Sequence, residues 1–151
     1  MQEYKLLINP ISSPAILALY CNNRLIESFE LDGFISDNLC REFNKLDKKY
    51  KITEVIYVNG PGSYMGIKLT FVMLKSLNIL RGVLFSGCLG FELNENRPIK
   101  AMGRLYFVKE KETIITKKFD EAVSQRFIVP KYWDSIKKSP VNEPLYTIPA
   151  V

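Results

Sequence analysis

The chain has 151 residues, 47% of them apolar and 25% charged, and 21 basic side chains against 16 acidic leave it a net charge of +5. That is chain enough for one substantial core, and the modest positive excess permits an acidic partner without demanding one. It contains no histidine, which excludes Ser-His-Asp triads, Cys-His pairs and histidine-ligated zinc.

Three short runs open the chain, YKLLINP, AILALYC and RLIESFEL. Pro10, Ser12, Ser13 and Pro14 mark the turn between the first two. Asn22-Asn23 is a hairpin turn between the second and third, because asparagine tolerates the left-handed backbone. The three runs are predicted to form an antiparallel meander. After Asp32-Gly33 the period changes. Ile35, Leu39, Phe43, Leu46 and Tyr50 recur at three- and four-residue spacing, which predicts a helix over about 36–49 with one apolar stripe. Ser36 is its expected N-cap, and Asp37 sits where the helix dipole favours a negative charge.

Thr53 to Val58 is a continuous β-run, the pattern of a strand buried on both faces. The loop VNGPGSYMGIK follows, and then a helix over about 65–80. Its residues Ile67, Leu69, Phe71, Val72, Met73, Leu74, Leu77, Ile79 and Leu80 make it apolar around most of its circumference. Such a helix is expected to be covered by more than one neighbour. Val83 to Phe85 predicts another strand, and Gly87 to Leu93 a short helix. Beyond NENRP, near residue 95, the texture changes, dividing the chain into parts 1–95 and 96–151. IKAMGRLYFVKE is expected as one strand with a bulge at Gly103, and ETIITKKF as another. The tail carries four prolines in its last 22 residues, so it is expected as extended segments joined by turns.

Cys21, Cys40 and Cys88 have no CxxC spacing and lie among apolar neighbours, which fits free thiols in a reducing compartment. The start, MQEYKLLINP, lacks a signal-peptide pattern, so a cytoplasmic location is expected. The segment 65–85 carries Lys68, Lys75 and Arg81, which argues against a membrane span.

The glycine loop is the one segment with the look of a binding device. Backbone N–H groups at a helix N-terminus attract anions, and Ser63 and Lys68 stand ready beside them. The spacing fits neither phosphate motif: Gly66 is followed by Ile67, not by Lys-Ser/Thr, and Gly60, Gly62 and Gly66 give GxGxxxG. A tight turn at Pro61-Gly62, with Gly66 letting the helix approach the sheet closely, is the favoured alternative. Asn9 closes the first strand where a nucleotide site would want an aspartate, and an amide is a poor magnesium ligand. Arg104 and Tyr106, alternate on one strand, are expected to share a face.

The segment VNGPGSYMGIKLTFVMLKSL resembles the bacterial TsaB (YeaZ) family, non-catalytic partners of TsaD in making the threonylcarbamoyl modification of adenosine in tRNA. Gly60, Pro61, Gly62, Ser63, Tyr64, Gly66 and Ile67 match the family's signature, while Met65 replaces its threonine and Lys68 its arginine. RGVLFSGCLGFEL is similar to the family's next strand and short helix, and NEPLYTIPAV to its closing strand. The first strand departs, ending in Asn9-Pro10 where the family has aspartate-threonine.

The resemblance implies an α/β chain of the actin-like ATPase (ribonuclease H-like) fold, a mixed sheet with helices and an abridged second lobe. It implies a scaffold, not an enzyme, with no cofactor and no metal. The partners implied are a TsaD-like subunit and, in a larger assembly, a TsaE-like ATPase, with tRNA met only indirectly and no membrane. Contact is expected through helices 36–49 and 65–80, at Ile35, Leu39, Phe43, Leu46, Phe71, Leu74 and Asn78, and the same surface would serve a self-dimer. A direct RNA-binding module and a degenerate ATP-binding protein of the same fold are the alternatives.

Overall fold

In the computed structural model, which describes residues 2–145, the chain reverses where two asparagines take the left-handed backbone, Asn22 at φ 47° and Asn23 at φ 76°. They join β2 (Ile16–Cys21) to β3 (Arg24–Glu30), and β2 pairs antiparallel with β1 (Tyr4–Asn9) across the proline-serine turn. The predicted meander is present. Two parallel strands complete the sheet: β4 (Ile52–Gly60) lies against β1, and β5 (Leu84–Leu89) against β4. The strand order is β3-β2-β1-β4-β5. β1 and β4 are central and buried on both faces, as their unbroken apolar runs require.

Two helices cover one face. α1 (Ile35–Tyr50) follows β3, and α2 (Tyr64–Arg81) connects β4 to β5 as the crossover that a parallel pair needs. Leu39 and Phe43 of α1 and Ile67 and Leu74 of α2 pack onto Leu6, Ile8, Leu17, Leu19, Val55 and Tyr57. α1 begins after Phe34, not Ser36, and has no side-chain cap. Its entry is held instead by Asn38, whose Nδ2 donates to the carbonyls of Asp32 and Phe34. At its far end the Asp47 carboxylate accepts the Ile52 N–H at 2.9 Å and pairs with Arg81 of α2 at 2.9 Å. Gly82, at φ 70°, closes α2.

Three sequence expectations are corrected beyond α2. Gly87, Cys88 and Leu89 extend β5, because Cys88 pairs with Val58 and Leu89 with Gly60; only Gly90–Leu93 is helical, as one 3₁₀ turn. IKAMGRLYFVKE is two strands, β6 (Ile99–Met102) and β7 (Leu105–Glu110), because Gly103 at φ 55° turns the chain back on itself. Arg104 therefore lies in that turn and donates to the Asp120 carbonyl, while Tyr106 is buried in β7 with its hydroxyl accepting the Val123 N–H at 2.9 Å. β8 (Thr113–Lys118) completes a separate three-stranded sheet, whose Ile99 and Phe107 pack on Phe91.

The tail then leaves the small sheet and wraps the large one. Phe127, Val129, Trp133 and Ile136 cover the face opposite the helices, over Leu7, Ala18, Tyr20, Ile56, Val58 and Cys88. Lys131 is tied to β3 through Leu25, and Lys138 reaches Glu54 at 3.1 Å. The last stretch runs beside β5 and β4, with the Ser139 N–H on the Gly87 carbonyl at 2.8 Å and the Leu145 N–H on the Asn59 carbonyl at 2.9 Å. The expected closing strand falls partly on residues 146–151, which lie outside the described residues. Among the described residues, no helix is long and apolar enough to cross a membrane.

Candidate functional site: the glycine loop and the outer face of α2

The loop between β4 and α2 is shaped by close approach. Gly60 sits at φ 134° and Gly62 at φ 155°, which a side chain resists. A Cβ on Gly62 would stand 2.6 Å from Ile11 Cγ2, and one on Gly60 would stand 3.1 Å from Leu145 Cβ. Gly66, buried in the first turn of α2, would put a Cβ 2.9 Å from the Pro10 carbonyl. The helix thus approaches the β1–β2 turn, not the sheet itself. Pro61 is buried, Tyr64 half-buried, and Ser63 and Lys68 exposed. The Thr70 hydroxyl, fully buried, donates back to the Gly66 carbonyl at 2.8 Å.

Backbone donors near the loop are partly spoken for. The Asn9 Oδ1 accepts the N–H groups of Ile11 and Ser12, both at 3.2 Å. Asn9 therefore holds the turn on which Gly62 and Gly66 pack, and its amide oxygen is committed to backbone. The Asn9 Nδ2 is buried with no partner among the described residues. Cys88 lies behind the loop on the opposite sheet face, its thiol pushed up to about 12 by burial and, secondarily, by the nearby Glu92. It is a packing residue with no thiolate at neutral pH.

Of the seven residues that the resemblance implies as a docking face, most pack inward. Leu39, Phe43 and Leu74 are buried in the core between helices and sheet, and Ile35, Leu46 and Phe71 pack against that core from its margin. The Asn78 Nδ2 donates to the Val83 carbonyl at 3.0 Å, fastening the end of α2. A stripe at three- and four-residue spacing is the face a helix turns toward its own sheet, and these side chains are spent mainly on that packing.

The outward apolar residues of α2 follow another spacing. Met65 (66% exposed), Val72 (52%) and Ile79 (71%) are seven apart, just under two turns each, so they align in one row with Leu80 (79%) beside its end. Lys68, Lys75 and Ser76 flank them. The sequence held this signal, but in a helix apolar nearly all round it was overlaid by the core stripe. The outer face of α1 is different, with Ser36, Asp37, Cys40, Arg41, Asn44, Lys45 and Lys48 exposed or half-exposed.

No protein-family model matches the chain, and no curated protein does. Solved structures do. YeaZ from Pseudomonas aeruginosa superposes with a TM-score of 0.59 at 12% identity, over 82% of this chain and 71% of that one. A structure described as an uncharacterized protein with similarity to peptidase YEAZ from Pseudomonas aeruginosa gives 0.55 at 13% identity, with the same coverage. Identity this low leaves the fold as what is shared. The chain has a mixed α/β fold similar to that of YeaZ.

Proposed function

We propose that the chain is a non-catalytic scaffold subunit that binds a TsaD-like protein and supports threonylcarbamoylation of adenosine 37 in tRNA. The observation that carries this reading is the exposed row Met65, Val72 and Ile79 with Leu80, on the helix that follows the family-like loop. Apolar side chains aligned on one helix face and ringed by polar ones have the anatomy of an interface. The YeaZ-like fold supports the assignment, as does the sheet order with its parallel β1, β4 and β5, which suits one lobe of the actin-like ATPase fold. Asn9 supports a binding role over a catalytic one, because its side-chain oxygen serves the backbone of the turn. In the assembly a TsaE-like ATPase joins the pair, and tRNA is met through the partner. Without the partner, the same row lets two copies pair.

Co-purification from the native host tests the reading. The chain is expected to recover a TsaD-like protein, and Val72→Glu with Ile79→Glu is expected to abolish recovery while leaving the monomer folded. A buried, unpaired carboxylate in the complex costs several kcal/mol, on the order of 3–5. Unchanged recovery by the folded double variant overturns the surface. Recovery of an RNA with no protein companion overturns the function.

A further inference from the structure

The apolar row on α2 runs beside a second row, and that one is charged. Lys68 and Lys75 are also seven apart, three residues after Met65 and Val72 respectively. Three residues turn a helix by about 300°, so the two lysines leave it about 60° to one side of the apolar row. Both are exposed, and neither has an ion pair among the described residues. The other flank of the row carries Leu69, Ser76 and Leu80, toward α1, where Arg81 pairs with Asp47 and Gly66 approaches Ile35.

The surrounding charges leave this second row uncompensated. α2 contains no aspartate or glutamate, and its third cation, Arg81, is spent on Asp47 at 2.9 Å. On the outward side of α1, Asp37 and Lys48 cancel, while Arg41, Glu42, Lys45 and Lys49 lie toward β3 and leave a cationic surplus there. Beside Lys75 a hollow is lined by Glu54, Lys138 and Glu143. Glu54 lies between Lys5 at 3.3 Å and Lys138 at 3.1 Å, a cluster with one positive charge left over, which Glu143 balances. The charge remaining along the exposed face of α2 is therefore positive, and it sits on one flank of an apolar row.

We propose that this face binds an amphipathic helix whose apolar stripe is flanked by glutamate or aspartate, a proposal that rests on the reading of α2 as a docking surface. The stripe covers Met65, Val72 and Ile79, and the acidic flank meets Lys68 and Lys75. Charge complementarity selects the occupant. A second copy of the chain has no carboxylate on α2 to offer and brings two more lysines, so pairing of two copies is the weaker contact. RNA meets the two lysines but leaves the apolar row in water.

The test uses the full chain, isotopically labelled and followed by amide chemical shifts. The probes are a stapled helical peptide of EIAALEQ heptads, its KIAALKQ counterpart and oligouridylate. The acidic peptide is expected to give saturable shifts along α2 with Kd of about 1 mM or tighter, and the basic peptide to bind about tenfold more weakly. Lys68→Gln with Lys75→Gln is expected to bring the two peptides within about threefold of each other, and added salt to weaken the acidic peptide alone. Both lysines are exposed, so the variant is expected to keep the parent spectrum elsewhere. Absence of saturable shifts, shifts on another surface, equal binding by the two peptides, an unchanged preference in the glutamine variant, or tighter binding of oligouridylate would each overturn the proposal. Failure to recover a TsaD-like protein removes the functional reading while the peptide preference stands. Recovery of that protein undiminished by Lys68→Gln with Lys75→Gln removes the acidic flank alone.

Discussion

At the scale of single residues, glycine and cysteine in this chain are governed by their neighbours. Gly62 combines φ 155° with Ile11 at 2.6 Å from any added Cβ, so Gly62→Ala is expected to destabilise by about 1–3 kcal/mol in urea unfolding. Gly82 has φ 70° but nothing within 4 Å of where a Cβ would stand, so Gly82→Ala is expected to cost about 1 kcal/mol from backbone strain alone. Lys68→Ala, on an exposed position, is expected to stay within about 0.5 kcal/mol. A ranking with Lys68→Ala as the most damaging change would show that the loop is built around a ligand after all. Cys88 makes a separate pH prediction. Burial raises its folded pKa to about 12 from an ordinary 9.0, so the unfolded chain ionises first. Its contribution to stability is whole below pH 9.0 and is lost as pH rises toward 12. Unfolding free energy measured across that window is expected to fall in the parent and to fall less in Cys88→Ala.

At the scale of elements, α2 has two faces that obey different rules. Leu74→Ala opens the fully buried core side, with an expected loss of about 2–5 kcal/mol. Val72→Ser acts on the outward row, and its expected effect on the monomer is within about 0.5 kcal/mol. Equilibrium unfolding of the two variants separates the faces without any partner present. The last stretch of tail is held differently, by buried polar groups. The Tyr57 hydroxyl donates to the Asn142 carbonyl at 2.5 Å, and the Asn59 Nδ2 donates to the carbonyls of Val141 at 2.8 Å and Glu143 at 3.0 Å. Both side chains are fully buried. Asn59→Ala is therefore expected to cost about 1–3 kcal/mol and to speed amide exchange at Leu145, whose N–H bonds the Asn59 carbonyl.

At the scale of the whole molecule, the tail does the work that helices do on the other face of the sheet. A sheet buried on both sides needs two covers, and the second is a segment without a long helix or strand, anchored by Trp133 against Tyr20 with ring centroids 5.2 Å apart. The Tyr20 hydroxyl donates to the Pro130 carbonyl at 2.6 Å, which supplies its buried polar tip with a partner. Trp133→Ala is expected to lower stability by about 3–5 kcal/mol, and the exposed face of β1, β2 and β4 to bind a hydrophobic dye. A variant as stable as the parent would mean that the belt is an appendage and the sheet has another cover.

The sequence by itself determined the local structure wherever one residue type or one period sufficed. Asn22-Asn23 placed the hairpin, the stripe from Ile35 to Tyr50 placed α1, and the apolar run into VNGPGSY placed β4, the loop and the start of α2. These signals are short-range, carried by backbone preference and by the repeat of helix or strand. The destination of each face was decided by tertiary structure. The stripe of Leu39, Phe43 and Leu74 became core because the sheet lies beneath it, and the row of Met65, Val72 and Ile79 became surface because nothing in the described chain covers it. The partners of Asn59, Tyr57 and Trp133 come from segments distant in sequence, and no local pattern encodes a contact of that kind. Burial is a property of what lies opposite a side chain, so only the assembled fold could assign it.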